Sequence, residues 1–135
     1  MSTKRTLILQ ALIDDLVSAG VVEERNITRR LAYLHEVNDF PAISFSSATE
    51  RRSHYGDGRK LAQLDLQLRG YVHGEDSVTL AETLARAIED AVDTYARAHP
   101  DLDLYEARVF SLRTDEGLYA PHGIADLNIE ITYEV

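Results

Sequence analysis

The sequence predicts an α+β fold, with a single, mostly antiparallel four-stranded sheet and two helices packed on one face. Two long amphipathic stretches and four shorter stretches of strand character carry this prediction. Their order is helix, irregular arm, two strands, helix and two strands, which is typical of a layered α+β domain. The 135 residues suit one domain, so we expect residues 1–135 to form a single unit.

The first predicted helix covers Thr3 to Ala19, with Ser2 or Thr3 as its cap and Gly20 where a helix normally ends. The second covers Val78 to Ala98 and ends before Pro100. Its apolar side is Leu80, Leu84, Ile88, Ala91, Val92 and Tyr95, and its outer side is Glu82, Arg86, Glu89, Asp93 and Arg97.

Four strands are predicted, at Pro41–Glu50, Leu61–His73, Leu104–Thr114 and Gly123–Val135. Leu61–His73 is the clearest, because leucines alternate with polar residues and so indicate one buried and one wet face. Arg51–Arg59 is predicted to be a polar loop, since it carries two glycines that tolerate positive φ. The inward set of the last strand is Leu127, Ile129, Ile131, Tyr133 and Val135.

The arm from Val21 to Asn38 allows two interpretations. Thr28 to Glu36 has apolar residues at helical spacing, but Ile27 to Tyr33 equally fits an extended segment. We favour the extended conformation. Asn38, Asp39 and Pro41 end whatever structure precedes them.

Composition excludes several classes of function. The chain has no cysteine, which removes disulfides, thiolate nucleophiles and cysteine-bound metals. The formal charge of −9 disfavours a grip on nucleic acid, because that affinity comes from neutralising phosphates. The first apolar run, Leu7 to Leu9, is too short for a signal peptide, so we expect synthesis in the cytosol and no membrane contact.

No constellation of catalytic or ligand residues emerges from the sequence. The five histidines show no metal-ligand spacing, and the serines of Ser44 to Ser47 lie outside any nucleophile elbow. The stretch Gly56 to Lys60 lacks the spacing of a phosphate loop. We therefore expect no catalytic residue, no cofactor and no metal.

Basic residues cluster between the first two strands of this acidic chain, at Arg51, Arg52, His54, Arg59 and Lys60. Two readings are equally supported. The cluster balances charge locally, or it meets an acidic surface on a neighbouring copy or another protein and fixes the register of that contact.

Four segments resemble the tail terminator (minor tail protein U) family of long-tailed bacteriophages. Asn38-Asp39-Phe40-Pro41-Ala42-Ile43 is similar to the entry of that family's first central strand. The strand Gln63 to Val72 leads directly into a helix, as it does there. Arg113 to Tyr119 resembles the family's acidic turn followed by an aromatic residue, and Asp126 to Val135 resembles its terminal strand.

The resemblance implies a non-enzymatic assembly protein of the virion tail, present in the host cytoplasm during assembly. It implies a homo-hexameric ring that sits on the tail tube protein, stops tube polymerisation and offers a surface to the head–tail connector protein. DNA would pass through this ring without being specifically bound. Tyr and Arg are enriched at interfaces, and the expected contact residues lie in loops: Arg51, Arg52, Tyr55, Arg59, Asp115, Tyr119 and His122.

Two alternatives remain open at this point. A head–tail joining or tail completion protein would have the same layout of helices and strands. A small-molecule-binding α+β domain would need a deep apolar cleft with convergent polar groups beside His73 or His122.

Overall fold

Two α-helices and five β-strands make up the fold in the computed structural model, which describes residues 3–30 and 32–135. The elements in chain order are α1 (Lys4–Ser18), β1 (Ile27–Thr28), β2 (Ala42–His54), β3 (Lys60–His73), α2 (Ser77–Ala98), β4 (Leu104–Thr114) and β5 (His122–Glu134). Single 3₁₀ turns lie at Glu24–Asn26, Leu34–Glu36 and Pro100–Leu102.

Side-chain caps begin both helices, and Thr3 is one of the two caps predicted for the first. The Thr3 hydroxyl accepts the backbone N–H of Thr6 at 3.2 Å, and the Asp76 carboxylate accepts that of Thr79 at 3.2 Å. Each cap satisfies a donor that has no partner within the helix. Helix α1 ends before Gly20, whose φ of 75° is costly for residues with a side chain.

The sheet has the order β1-β2-β3-β5-β4, with β3 at its centre. Strands β2, β3, β5 and β4 pair in antiparallel fashion, whereas β1 pairs with β2 in parallel through Ile27↔Ile43 and Thr28↔Ser44. The predicted four-stranded, mostly antiparallel sheet is therefore wrong, because the structure has a five-stranded mixed sheet. Strand β1 has only two residues, too few for an alternation to be read, and its conformation comes from pairing with β2.

The predicted loop Arg51–Arg59 is also shorter than expected. Arg51 to His54 continue strand β2 and pair with Lys60 to Gln63 of β3, which leaves only Tyr55–Arg59 as the hairpin connection. Sequence periodicity missed this extension because a bulge between Phe45 and Ser47 shifts the alternation, so that exposed polar residues fall on both faces.

The core lies between one face of the sheet and both helices. Leu64, Leu66 and Leu68 of β3 face the same side as their β5 partners, which include Ile129 at the level of Leu66. The Tyr95 hydroxyl of α2 donates to the Ile8 carbonyl of α1 at 2.7 Å and joins the two helices. Two residues assigned to the buried set are instead exposed, Leu80 at 39% and Val135 at 46%.

The opposite face of the sheet is polar and partly covered by the arm. The Tyr71 hydroxyl donates to the Ala32 carbonyl, and Asn26 donates to the Pro41 carbonyl at 3.3 Å. Arg25 pairs with Asp39 at 2.9 Å across the arm. The extended interpretation thus holds around Ile27–Thr28. The remainder of the described arm contains two 3₁₀ turns. Leu31 lies outside the described residues.

A close approach at Gly123 gives a test of this packing. A Cβ there would lie 2.8 Å from both the Ser77 carbonyl oxygen and Val72 Cγ2. Because backbone cannot move aside cheaply, we expect Gly123→Ala to lower the free energy of unfolding by about 1 to 3 kcal/mol in urea titrations. Gly56→Ala, where a Cβ meets no atom within 4 Å, is the control. Equal stability of the two variants would contradict this account.

Candidate assembly surfaces

The seven expected contact residues form two separate groups at opposite ends of β3. The hairpin Tyr55–Arg59 precedes Lys60 at one end, and His122 pairs with His73 at the other. The fourteen residues of β3 span thirteen intervals of about 3.3 Å, which places the two ends about 43 Å apart. One copy therefore carries two distinct candidate surfaces, which we call the hairpin end and the loop end.

The hairpin end is an ordered, basic turn. The backbone N–H of Tyr55 donates to the Arg59 carbonyl at 2.9 Å, and Gly58 supplies the required positive φ of 90°. Arg59 pairs with Asp57 at 2.8 Å, and its guanidinium lies 5.5 Å from the centre of the Tyr55 ring. The turn thus presents an aromatic ring and a guanidinium together, a combination that is common at protein interfaces.

Arg51 and Arg52 point to opposite faces of the sheet. Arg51 pairs with Gln63 in the β2–β3 ladder, so it lies on the polar face, 3.8 Å from Asp65. Arg52 lies on the helix side and donates to the Glu50 carboxylate at 2.7 and 3.0 Å. Arg51, whose side chain is 68% exposed, can therefore exchange Asp65 for a partner, whereas Arg52 is held by Glu50 within the chain.

Glu50 is a residue that the sequence reasoning missed. Its side chain is only 8% exposed, and it accepts hydrogen bonds from Arg52 and from the Tyr133 hydroxyl. Burial, with the hydrogen bond to Glu50 as the next cause, raises the pKa of Tyr133 to about 12. A buried carboxylate is tolerated only with such partners. Nothing in the sequence marks Glu50, because the bulge in β2 decides which face it occupies.

At the loop end, Asp115 organises the turn from inside. Its carboxylate accepts the backbone N–H groups of Tyr119 and Ile124, both at 3.0 Å. Glu116 and Gly117 follow with φ of 52° and 87°. Asp115 is therefore occupied in shaping the turn. The side chains that the turn exposes are Leu118, at 76%, and Tyr119, at 48%. Leu118 was missed, since an isolated leucine in a turn carries no periodic signal.

His122 belongs to an aromatic cluster and not to a free surface patch. Its ring centre lies 4.7 Å from that of His73, and the Phe40 ring lies 5.6 Å from both. Within residues 3–30 and 32–135, no group of three or more His, Cys, Asp or Glu side chains is placed to hold a metal ion. The two imidazoles pack on each other and on the Phe40 ring.

An apolar cleft of about 300 Å³ opens beside His73, between α2 and the segment Phe40–Pro41. Its walls include Val72, Leu84 and the exposed Leu80. Among its lining residues the polar side chains are His73 and Thr83. A specific small-molecule site brings several polar groups to one point, and this cleft lacks that convergence.

The outer edge of β4 exposes apolar side chains. Tyr105 and Phe110 stand at the two bulges of the strand and are 58% and 51% exposed, and nearby Leu112 is 43% exposed. Bulges and charges commonly protect free strand edges. Among the described helices, none has the length and apolar character to cross a membrane.

Comparison with known proteins decides the class of the chain. Residues 17–135 match the family described as Bacteriophage Tail Tube Terminator Protein. The chain belongs to this family of phage tail tube terminator proteins. It is 24% identical to the tail tube terminator protein p142 of Escherichia phage T5, over 96% of this chain and 93% of that protein.

A solved structure shares the fold. A chain in the virion of the native gene transfer agent (GTA) particle superposes with a TM-score of 0.63, at 15% identity, over 95% of this chain and 92% of that one. The resemblance seen in the sequence is thus confirmed, and this tail terminator protein is a structural component of the phage tail.

The Glu50 site generates a stability prediction. Tyr133→Phe removes one donor from a carboxylate that is almost fully buried, which typically costs about 1 to 3 kcal/mol. We expect a loss of that size in urea unfolding monitored by circular dichroism. The matched control is Tyr105→Phe, whose side chain is 58% exposed on the edge strand. A change below about 0.5 kcal/mol for Tyr133→Phe would count against the buried site.

Alkaline pH tests the same site in another way. The pKa of Tyr133 rises from 10 to about 12 on folding, so the unfolded chain loses its proton first as pH increases. The stabilisation is complete below pH 10 and is lost as pH rises towards 12. We expect the free energy of unfolding of Tyr133→Phe to fall less steeply over this range than that of the unmodified protein. Parallel slopes would refute the assignment.

Proposed function

We propose that this protein closes the tail as a homo-hexameric ring on the last ring of tail tube protein, halts polymerisation there and presents its other side to the head–tail connector protein. In this proposal residues 1–135 act as one domain. The observation that supports it is the presence of two unlike ends and two unlike sheet edges on one copy. A ring of identical subunits needs unlike surfaces that meet, whereas a two-fold dimer needs one self-complementary patch.

The two ends suit different partners. The hairpin end is basic and carries Tyr55 with Arg59, which favours a contact with another copy of this acidic chain. The loop end exposes Leu118 and Tyr119 on a turn held by Asp115, which favours an apolar contact with a protein outside the ring. We therefore assign the hairpin end to ring contacts and the loop end to the tube or the connector.

We further propose that the role is non-catalytic and that DNA passes through the ring without being held. The formal charge of −9 per copy opposes retention of a polyanion. The paired imidazoles of His73 and His122 pack against Phe40, which supports a structural use of these histidines. Assembly would take place in the host cytoplasm before the protein becomes part of the virion tail.

The direct test adds this protein to tail tube protein of the same phage while tubes are growing. We expect arrested growth and a ring of density on tube ends in negative-stain micrographs. Tubes that lengthen at an unchanged rate, with bare ends at every protein concentration, would remove the proposal.

Loop-end variants sharpen this test. Leu118→Ser combined with Tyr119→Ser removes two exposed apolar side chains without touching the core. We expect arrest of tube growth, or binding to the connector, to require at least about tenfold more protein, equivalent to about 1.4 kcal/mol. Tyr33→Ser, which removes an aromatic side chain that is 56% exposed on the arm, is the matched control. Unchanged behaviour in both assays would exclude the loop end as a partner surface.

A further inference from the structure

An acidic groove lies between the outward side of α2 and strand β4. It has a volume of about 580 Å³, and its lining includes Glu82, Arg86, Ala87, Glu89, Asp90 and Leu112. Three carboxylates face one guanidinium there, and Arg86 already lies 3.9 Å from Glu89. Leu112, 43% exposed, provides an apolar floor. The groove thus offers negative charge around an apolar centre.

The hairpin end has the opposite character. From Glu50 to Lys60 there are four Arg or Lys residues against two carboxylates, with the Tyr55 ring at the tip. Arg51 lies 3.8 Å from the half-buried Asp65 on the neighbouring strand β3, and Arg59 pairs at 2.8 Å with the exposed Asp57 in the same turn. Ion pairs at a protein surface contribute little to stability, so both guanidiniums, which are largely exposed, can exchange partners.

We propose that the hairpin end of one copy binds the groove between α2 and β4 of a second copy. Tyr55 covers Leu112 and Ala87, while Arg51 and Arg59 approach Glu82 and Asp90. This inference rests on the proposed ring and names its subunit contact. The commitment to a second copy follows from charge and shape, because both complementary surfaces are present on this one chain.

The sheet topology makes this contact repeatable. Strands β2 and β4 are the outer two of the four long strands, since β1 covers only two residues of β2. The alternating directions of β2, β3, β5 and β4 make β2 and β4 antiparallel to each other. Copies placed side by side in the same orientation therefore bring β2 of one next to β4 of the next. The contact is heterologous, so each copy uses both surfaces once and a rotation can close the series.

The position of the groove determines how the strands must lie. Leu112 is level with Leu127 and hence with Leu68, eight residues along β3 from the hairpin end and so about 26 Å from it. Neighbouring copies are therefore offset along their strands by about 26 Å, so the strands must be strongly tilted from the ring axis, as strands in closed barrels are.

A charge exchange tests the contact. The hairpin variant carries Arg51→Glu with Arg59→Glu, and the groove variant carries Glu82→Lys with Asp90→Lys, all at exposed positions. The assay is the arrest of tail tube growth, with ring composition read by native mass spectrometry. We expect each variant alone to need at least about tenfold more protein than the unmodified chain. An equimolar mixture should recover activity, because both kinds of junction are then complementary, and the rings should contain the two variants in equal numbers.

The control pair is Arg97→Glu and Glu24→Lys, which alters exposed charges outside both surfaces. Each control should cap tubes like the unmodified chain, and mixing the two should add nothing. If the hairpin and groove variants each cap normally, or if their mixture stays inactive although both fold, the proposed contact is overturned while the terminator role stands. If the unmodified chain itself neither forms rings nor caps tubes, both proposals fall together.

Discussion

The long antiparallel pairing of β3 with a strand on each side is the constraint on which the rest of the structure depends. Every residue from Leu61 to His73 has a partner in β5, and most also have one in β2. Side chains alternate between faces, so a slip of one residue would expose Leu64 and Leu66 and bury Asp65. The leucines therefore fix the register, and the register fixes where the hairpin end, the loop end and both helices lie.

The parts of the fold that the sequence predicts well are those in which a regular pattern of apolar residues is sustained over a long segment. Both helices and strands β3 and β5 lie within a few residues of their expected bounds, because buried positions recur at a regular spacing along each of them. Strand β4 also has its expected bounds, although none of its residues is buried. Strand β1 was not predictable, since two residues cannot show a period and its parallel pairing depends on Ile43, sixteen positions away. The exposure of Leu80 shows a similar limit, because helical spacing does not reveal where the sheet ends beneath a helix.

The candidate surfaces were predictable in composition but not in geometry. The basic hairpin and the acidic outer side of α2 are both visible in the sequence. The sequence does not show which arginines remain available to a partner. The bulge in β2 directs Arg52 to Glu50 and leaves Arg51 on the polar face. The groove could not be predicted from the sequence either, because its floor, Leu112, is brought to α2 by the pairing of β4 with β5. The sequence also does not show that the Asp115 carboxylate accepts two backbone N–H groups within its own turn.

The same charges that favour the proposed subunit contact also oppose early assembly. Each copy carries a net charge of −9, so copies repel one another at long range, while the contact itself depends on exposed ion pairs that contribute little individually. Bulges at Tyr105 and Phe110 interrupt the β4 edge and prevent an unbroken ladder with another strand. A ring held in this way is weak in free solution. A tube end that binds several copies at once raises their effective concentration, and weak heterologous contacts then suffice to close the ring. In this proposal, ring closure is therefore coupled to the presence of a finished tube.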